Sequence, residues 1–181
     1  MWSDAIETRS GILFRPLSPN AQDIRIEDIA HALSNQCRFS GHTRVPYSVA
    51  EHSVRVSWLL QDWGYDKAIQ FWGLMHDAAE AYLVDLPTPL KMDPRLAFYK
   101  EAEANLMRVI CARFGMCASE PSAVRRADGV LLATEVRDLM HGEKTHWAKL
   151  QRVPLVDYRI DPLGQIQARE LFLSRFEEVY S

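Results

Sequence analysis

Apolar residues recur at helical spacing through almost the whole chain. Ile26, Ile29, Ala30 and Leu33 mark one face of a helix over about 26–36. The same spacing predicts further helices over about 48–64, 67–83, 94–114, 121–140 and 161–179. Outside them, residues 11–14 suggest a short strand and residues 141–160 look irregular. Because no linker or repeat divides residues 1–181, we expect one all-α domain, a bundle of about six helices with little or no strand.

Capping residues mark the ends of several predicted helices. Ser48, followed three residues later by Glu51, forms a capping-box sequence at the start of the second helix. Asp66 is a suitable N-cap for the third helix, which the proline-rich stretch "DLPTPLK" ends. Gly115 occupies the C′ position expected after the fourth helix.

Composition and charge narrow the classes of partner. The formal net charge of −3 gives no whole-chain case for binding a nucleic-acid polymer or an acidic membrane. The three cysteines lack metal-knuckle spacing, and an odd count without a secretory signal indicates reduced thiols. No apolar run approaches the ~20 residues that span a bilayer. We therefore expect a cytoplasmic protein that acts on a small molecule, with a homodimer left open.

Titratable residues interrupt the apolar pattern of the third predicted helix in the stretch "GLMHDAAE". His76 and Asp77 are adjacent, and Glu80 follows one turn later. A neutral imidazole and a carboxylate are ordinary ligands for a divalent first-row metal. His52 lies on the apolar side of the second helix, and Asp128 precedes an apolar run in the fifth. Taken singly, each also fits an ordinary structural role, as a buried histidine or a solvated acid.

The ordered set His52, His76-Asp77 and Asp128 resembles the H…HD…D motif of the HD-domain metal-dependent phosphohydrolases. The stretches similar to the bacterial HD-domain 5′-deoxynucleotidases are "RF" at 38–39, "SVAEHS" at 48–53, "HDAAEAYLVDLPTPLK" at 76–91 and "ADGVLLATE" at 127–135. The resemblance covers about 26–140 and implies a helical HD domain that holds one divalent ion on those four side chains. It also implies hydrolysis of deoxynucleoside 5′-monophosphates to deoxynucleoside and phosphate. Mn²⁺, Co²⁺, Fe²⁺ and Zn²⁺ all suit such mixed ligands.

The resemblance also implies catalytic roles for two acids. Glu80 is suited to orient or deprotonate the attacking water, or to support a metal-binding histidine from behind. Asp85 is suited to protonate the leaving 5′-oxygen or to bind a sugar hydroxyl, although a turn-forming role before Leu-Pro also explains it.

Four residues are candidates for binding the nucleotide substrate. Arg38 offers a planar, permanently charged fork that matches phosphate oxygens. Phe39 follows it, where the family has tryptophan, and this difference leaves the nucleoside preference open. His42 and Lys91 are further candidates for approaching the phosphate, and each also fits a structural or surface role.

Two alternative functions compete with the monophosphatase. A deoxynucleoside triphosphate triphosphohydrolase would need additional cations for the outer phosphates, for which the chain offers Arg44, Lys91, Arg125 and Arg126. A non-catalytic nucleotide- or metal-binding HD module would be indicated by a lost ligand, and all four ligands are present. A zinc peptidase is excluded because "HDAAE" is neither HExxH nor HxxEH.

Overall fold

Most of the chain is helical in the computed structural model, which describes residues 4–141 and 153–180. In chain order the helices are α1 (Ile26–Asn35), α2 (Val49–Asp62), α3 (Lys67–Met75), α4 (Glu80–Leu83), α5 (Thr88–Lys91), α6 (Ala97–Phe114), α7 (Ser122–Leu139) and α8 (Gln165–Val179). A two-stranded antiparallel sheet pairs β1 (Ile6–Glu7) with β2 (Leu13–Phe14). The predicted all-α class is confirmed, and the predicted strand is half of this small sheet. Within the described ranges, no helix combines the length and apolarity needed to cross a membrane.

Helix α2 lies at the centre of the fold and packs against α1, α3, α7 and α8. Gly73 allows α3 to approach it closely. A Cβ atom at this position would lie 2.5 Å from Cδ1 of Leu60 and 3.3 Å from Cα of Ser57. A side chain at this position would require Leu60 to move and the backbone at Ser57 to give way by a few tenths of an ångström. The close approach brings the end of α3 beside the first turns of α2.

A buried arginine holds α8 against this pair of helices. The guanidinium of Arg175 donates to Oγ of Ser57 at 3.0 Å and to the amide oxygens of Gln61 and Gln70 at 2.7 Å each. Since a buried charge is costly without partners, these bonds explain how the arginine is accommodated at 4% exposure. They also fix the orientation of α8 relative to α2 and α3.

The prediction of one uninterrupted helix over 67–83 is wrong. Helix α3 ends at Met75, and α4 begins only at Glu80. Between them the amides of Ala78 and Glu80 donate to carbonyls three residues back, as in a 3₁₀ turn. The ring of His76 donates to the carbonyl of Gly73, which an uninterrupted helix would offer to the amide of Asp77. The His76-Asp77 pair therefore lies in the break rather than in a helix.

The capping box predicted at Ser48 is only half formed. Oγ of Ser48 accepts the amide of Glu51, as predicted. The carboxylate of Glu51 instead pairs with Arg55 and accepts the amide of Leu163. That last bond fixes the chain before α8, which begins at Gln165 rather than at the predicted 161.

Other boundaries follow the capping residues more closely. Gly115 takes the left-handed conformation (φ 68°) after α6, and the side chain of Asp66 caps α3, both as predicted. The stretch 85–91, predicted as a loop, contains α5. Residues 153–160 are irregular, as predicted, while residues 142–152 lie outside the described part of the chain.

Asp138, near the end of α7, holds the irregular segment 153–160 against the helices through hydrogen bonds. Its carboxylate accepts Nε of Arg137 and a guanidinium nitrogen of Arg159, each at 2.6 Å, and the amide of Ile160 at 3.0 Å. Burial raises the pKa of Asp138, but these donors outweigh burial and lower it to about 2.

We expect Asp138→Asn to destabilise the protein by about 2 kcal/mol at pH 7 and much less in acid. Because the folded-state pKa lies below the ordinary value of 3.8, the ionised carboxylate favours folding above about pH 4. That contribution is lost as the pH falls towards 2. Urea unfolding of the variant and the unmodified protein at pH 7, 4 and 3 measures the difference.

The exposed Asp161 provides the matched control, and Asp161→Asn should leave stability unchanged at each pH. An equal destabilisation by Asp138→Asn at pH 7 and pH 3 would contradict the assignment.

Candidate metal centre

Two histidines from neighbouring elements point the same ring nitrogen at one another. Nε2 of His52, on α2, lies 3.3 Å from Nε2 of His76, which caps the end of α3. The opposite nitrogen, Nδ1, is held in each ring, by Oε1 of Glu135 at 2.6 Å for His52 and by the carbonyl of Gly73 at 2.8 Å for His76. A carbonyl can only accept, so Nδ1 of His76 carries the proton. This arrangement turns the Nε2 lone pairs towards a shared point, as in metal-binding histidines.

Two carboxylates lie beside the histidines. Oδ2 of Asp77 lies 3.2 Å from Nε2 of His76 and 3.8 Å from Nε2 of His52. Oδ1 of Asp128, on α7, lies 3.3 Å from Nε2 of His52. The ligand atoms of His52, His76 and Asp77 all fall within 4.8 Å of one another, so one ion can reach all three. Asp128 lies outside this group of three, with a 40% exposed side chain and one oxygen beside Nε2 of His52.

The charges of the cluster fit a divalent cation. Burial alone lowers the pKa of His76, but the carboxylates of Asp77 and Asp128 outweigh it and raise the pKa to about 9. Burial raises the pKa of Asp77, yet the surrounding histidines and Arg38 hold it well below its ordinary value. Without an ion, the proton on His76 balances these carboxylates, and a divalent ion bound here would displace that proton from Nε2. Imidazole nitrogens with carboxylate oxygens, and no thiolate, suit first-row divalent metals.

Arg38 lies beside the predicted ligands. Its Nε and one terminal nitrogen both lie 3.1 Å from Oε2 of Glu135, and its other terminal nitrogen lies 3.6 Å from Oδ2 of Asp77. Glu135 is fully buried and joins Arg38 to His52 through its two carboxylate oxygens. Sequence reasoning gave Glu135 no role. The available signal was its position two turns after Asp128, on the arc of α7 that includes the apolar side.

Glu80 and Lys91 form a second cluster next to the metal centre. Nζ of Lys91 lies 2.7 Å from Oε1 of Glu80 and 2.9 Å from Oε1 of Glu103. Burial, with the nearby charges of Asp77 and Asp85, raises the pKa of Glu80 to about 8, although Lys91 opposes the shift. The structure therefore commits Lys91, predicted to bind substrate, to two carboxylates.

The other predicted site residues, Asp85, Phe39 and His42, have fewer direct contacts with the predicted metal ligands. Asp85 is half-buried, and burial together with the charge of Asp77 raises the pKa of its carboxyl, against the opposing charges of Arg38 and Lys91. Phe39 lies under Arg38, whose guanidinium carbon is 5.6 Å from the ring centre. His42 is exposed and caps the 3₁₀ turn Arg38–Gly41. The structure thus groups Asp85 and Phe39 with the centre and leaves His42 at the surface.

Comparison with known proteins gives a relative that matches nearly the full length of the chain. No protein-family model matches. The chain is 39% identical to the uncharacterized protein YfdR of Escherichia coli (strain K12) over 175 residues, which cover 96% of this chain and 94% of YfdR. An uncharacterized protein of Rhodobacter capsulatus is 38% identical over 115 residues, 61% of this chain and 58% of that protein.

Proposed function

The chain belongs to the same family as E. coli YfdR, and we propose that it is a metal-dependent phosphohydrolase of the HD-domain class. The specific activity we propose is that of a 5′-deoxynucleotidase, which converts deoxynucleoside 5′-monophosphates to deoxynucleosides and phosphate. The observation that carries the proposal is the grouping of Nε2 of His52, Nε2 of His76 and Oδ2 of Asp77 within 4.8 Å, with the Asp128 carboxylate beside His52 and a guanidinium 3.6 Å from Asp77. This combination suits a phosphate ester, since both the cation and the guanidinium would stabilise its negative charge.

In this proposal His52, His76, Asp77 and Asp128 would hold the divalent ion, which when bound supplies Lewis-acid polarisation of the phosphoryl group. Arg38 binds a phosphate oxygen through the terminal nitrogen that faces Asp77. Glu80, a buried carboxyl group whose pKa is raised above its ordinary value, accepts a proton from the attacking water. Asp85 gives a proton to the leaving 5′-oxygen.

The contacts that the basic residues make within the protein favour a nucleoside monophosphate over a triphosphate as the substrate. The outer phosphates of a triphosphate would need cations beyond Arg38, and the four candidates are engaged elsewhere. Lys91 pairs with Glu80 and Glu103, and Arg44 donates to the carbonyl of Asp138.

The remaining two candidates lie along α7. Arg126 stacks 4.5 Å from the ring centre of Trp63, and Arg125 lies 3.5 Å from Glu120. A triphosphate could bind these arginines only if their present contacts broke. That loss would offset part of the binding free energy gained from the additional phosphates.

A panel of mono-, di- and triphosphates, ribo and deoxy, incubated with Mn²⁺, Co²⁺, Fe²⁺ or Zn²⁺ tests the proposal. We expect metal-dependent release of orthophosphate from deoxynucleoside monophosphates and its loss on chelation. Release of triphosphate from a triphosphate would instead identify a triphosphohydrolase. Binding of nucleotide without turnover under any metal would identify a non-catalytic module.

We expect Arg38→Ala to lower phosphate-ester turnover about 10- to 100-fold, because a charged hydrogen bond contributes roughly 1.5–3 kcal/mol. Arg38→Lys keeps a charge beside the buried Glu135 but loses the planar fork, so it should recover folding and little of the turnover. Steady-state kinetics with unfolding curves measure both effects. Arg95→Ala, at an 88% exposed side chain, is the control. Normal turnover in Arg38→Ala would remove Arg38 from the site.

A further inference from the structure

We infer that Gln36 is a positioning residue that sets the location of Asp85 at the proposed hydrolytic site, an inference that rests on the proposed function. Gln36 follows α1, and its side-chain amide contacts the backbone at the start of α4, at Glu80, and just beyond its end, at Asp85. Nε2 donates to the carbonyl of Glu80 at 2.9 Å, and Oε1 accepts the amide of Asp85 at 3.0 Å. One side chain thus ties the backbone of Asp85 to that of Glu80, whose own position is set by helix α4.

The turn that Gln36 holds is strained. Val84, between the two anchored residues, has a φ of 75°, which is unfavourable for a β-branched side chain. Such conformations cost on the order of 1–3 kcal/mol and persist only where the surroundings impose them. Here the surroundings are Gln36 on one side and the hydroxyl of Tyr99, which donates to the carbonyls of Leu83 and Val84, on the other. The strain places Asp85 directly after a sharp reversal of the chain.

The backbone of Gln36 connects this turn to the metal centre. Its carbonyl accepts the amide of Val49 at 3.0 Å, at the first residue of the helix that carries His52. Two residues later, the amide of Arg38 donates to the carbonyl of Tyr47 at 2.9 Å. The same short extended segment therefore orients Arg38 for the phosphate and, through the side chain of Gln36, Asp85 for the leaving group.

A positioning role makes the effect of Gln36 depend on Asp85. We expect Gln36→Leu, which has a similar size and no amide, to lower kcat about 10- to 100-fold with little change in KM. In an Asp85→Asn background the same substitution should lower kcat by less than about twofold, because the group that it positions is gone. Gln36→Glu keeps the acceptor for the Asp85 amide and loses only the donor to the Glu80 carbonyl, so it should lower kcat less than Gln36→Leu does. Gln22→Leu, at an exposed glutamine, is the matched control.

Amide hydrogen exchange tests the clamp, the hydrogen bond from the Asp85 amide to Gln36, without any substrate. It therefore separates failure of this inference from failure of the proposed function. We expect the Asp85 amide to exchange about tenfold faster in Gln36→Leu, equivalent to one net hydrogen bond, with unchanged exchange in α2 and α7. Unchanged exchange at Asp85 overturns the inference, whatever the activity. Equal losses of kcat in both backgrounds, or full activity in Asp85→Asn, also overturn it. Faster exchange in a protein that hydrolyses no nucleotide supports the clamp and overturns only the proposed function.

Discussion

Asp77→Ala and His52→Ala are each expected to abolish metal-dependent hydrolysis, with a loss of at least about 1,000-fold, while the protein remains folded. Each substitution removes one of the three ligand atoms that lie within 4.8 Å of one another. A divalent ion contributes several kcal/mol to stabilising a phosphoryl transition state, so losing the ion removes that contribution. Hydrolysis assays at saturating metal, with circular dichroism to confirm folding, measure the effect.

Asp62→Ala is the control for these variants, since Asp62 is exposed on the same helix as His52. It should keep both metal affinity and turnover. Retained activity in metal-loaded Asp77→Ala would contradict the metal-site assignment.

Glu135→Gln is expected to weaken metal binding by about 10- to 100-fold, the usual effect of losing a carboxylate behind a metal-binding histidine. The fully buried carboxylate of Glu135 holds Nδ1 of His52 at 2.6 Å and also pairs with Arg38. Glutamine preserves the shape but not the charge, so His52 becomes a weaker ligand and Arg38 loses its nearer counter-ion. Calorimetric titration with Co²⁺ or Mn²⁺ measures the affinity, and phosphate release measures the second effect.

Glu101→Gln, at an exposed glutamate on α6, should change neither quantity. Unchanged metal affinity in Glu135→Gln would show that Glu135 stabilises the fold without orienting His52.

The structure brings together His52, His76 and Asp77, with Asp128 beside His52, as the resemblance to the H…HD…D motif implied. The backbone beneath His76 and Asp77 was not predictable from periodicity. Apolar spacing continues through residues 67–83, whereas the break depends on a side-chain bond from His76 to Gly73. The spacing of apolar residues indicates which residues face the core. It does not indicate that a side chain will compete with a backbone amide for the same carbonyl.

The partners of buried charges were harder still to predict. Lys91 looked available for phosphate because Glu80 and Glu103 lie 11 and 12 residues away, and they meet it only where α4, α5 and α6 converge. Glu135 and His52 are separated by 83 positions. Contacts at such separations are set by helix packing, so single-sequence reasoning could place Glu135 on the right arc of α7 but could not identify its partners.

Anomalous diffraction from crystals grown with Co²⁺ or Mn²⁺ tests the central claim most directly. The account predicts one strong peak per chain, about 2.0–2.3 Å from Nε2 of His52, Nε2 of His76 and the carboxylates of Asp77 and Asp128. The peak should disappear in Asp77→Ala crystals grown under the same conditions. A peak elsewhere on the chain, or none between these four side chains at saturating metal, would contradict the account.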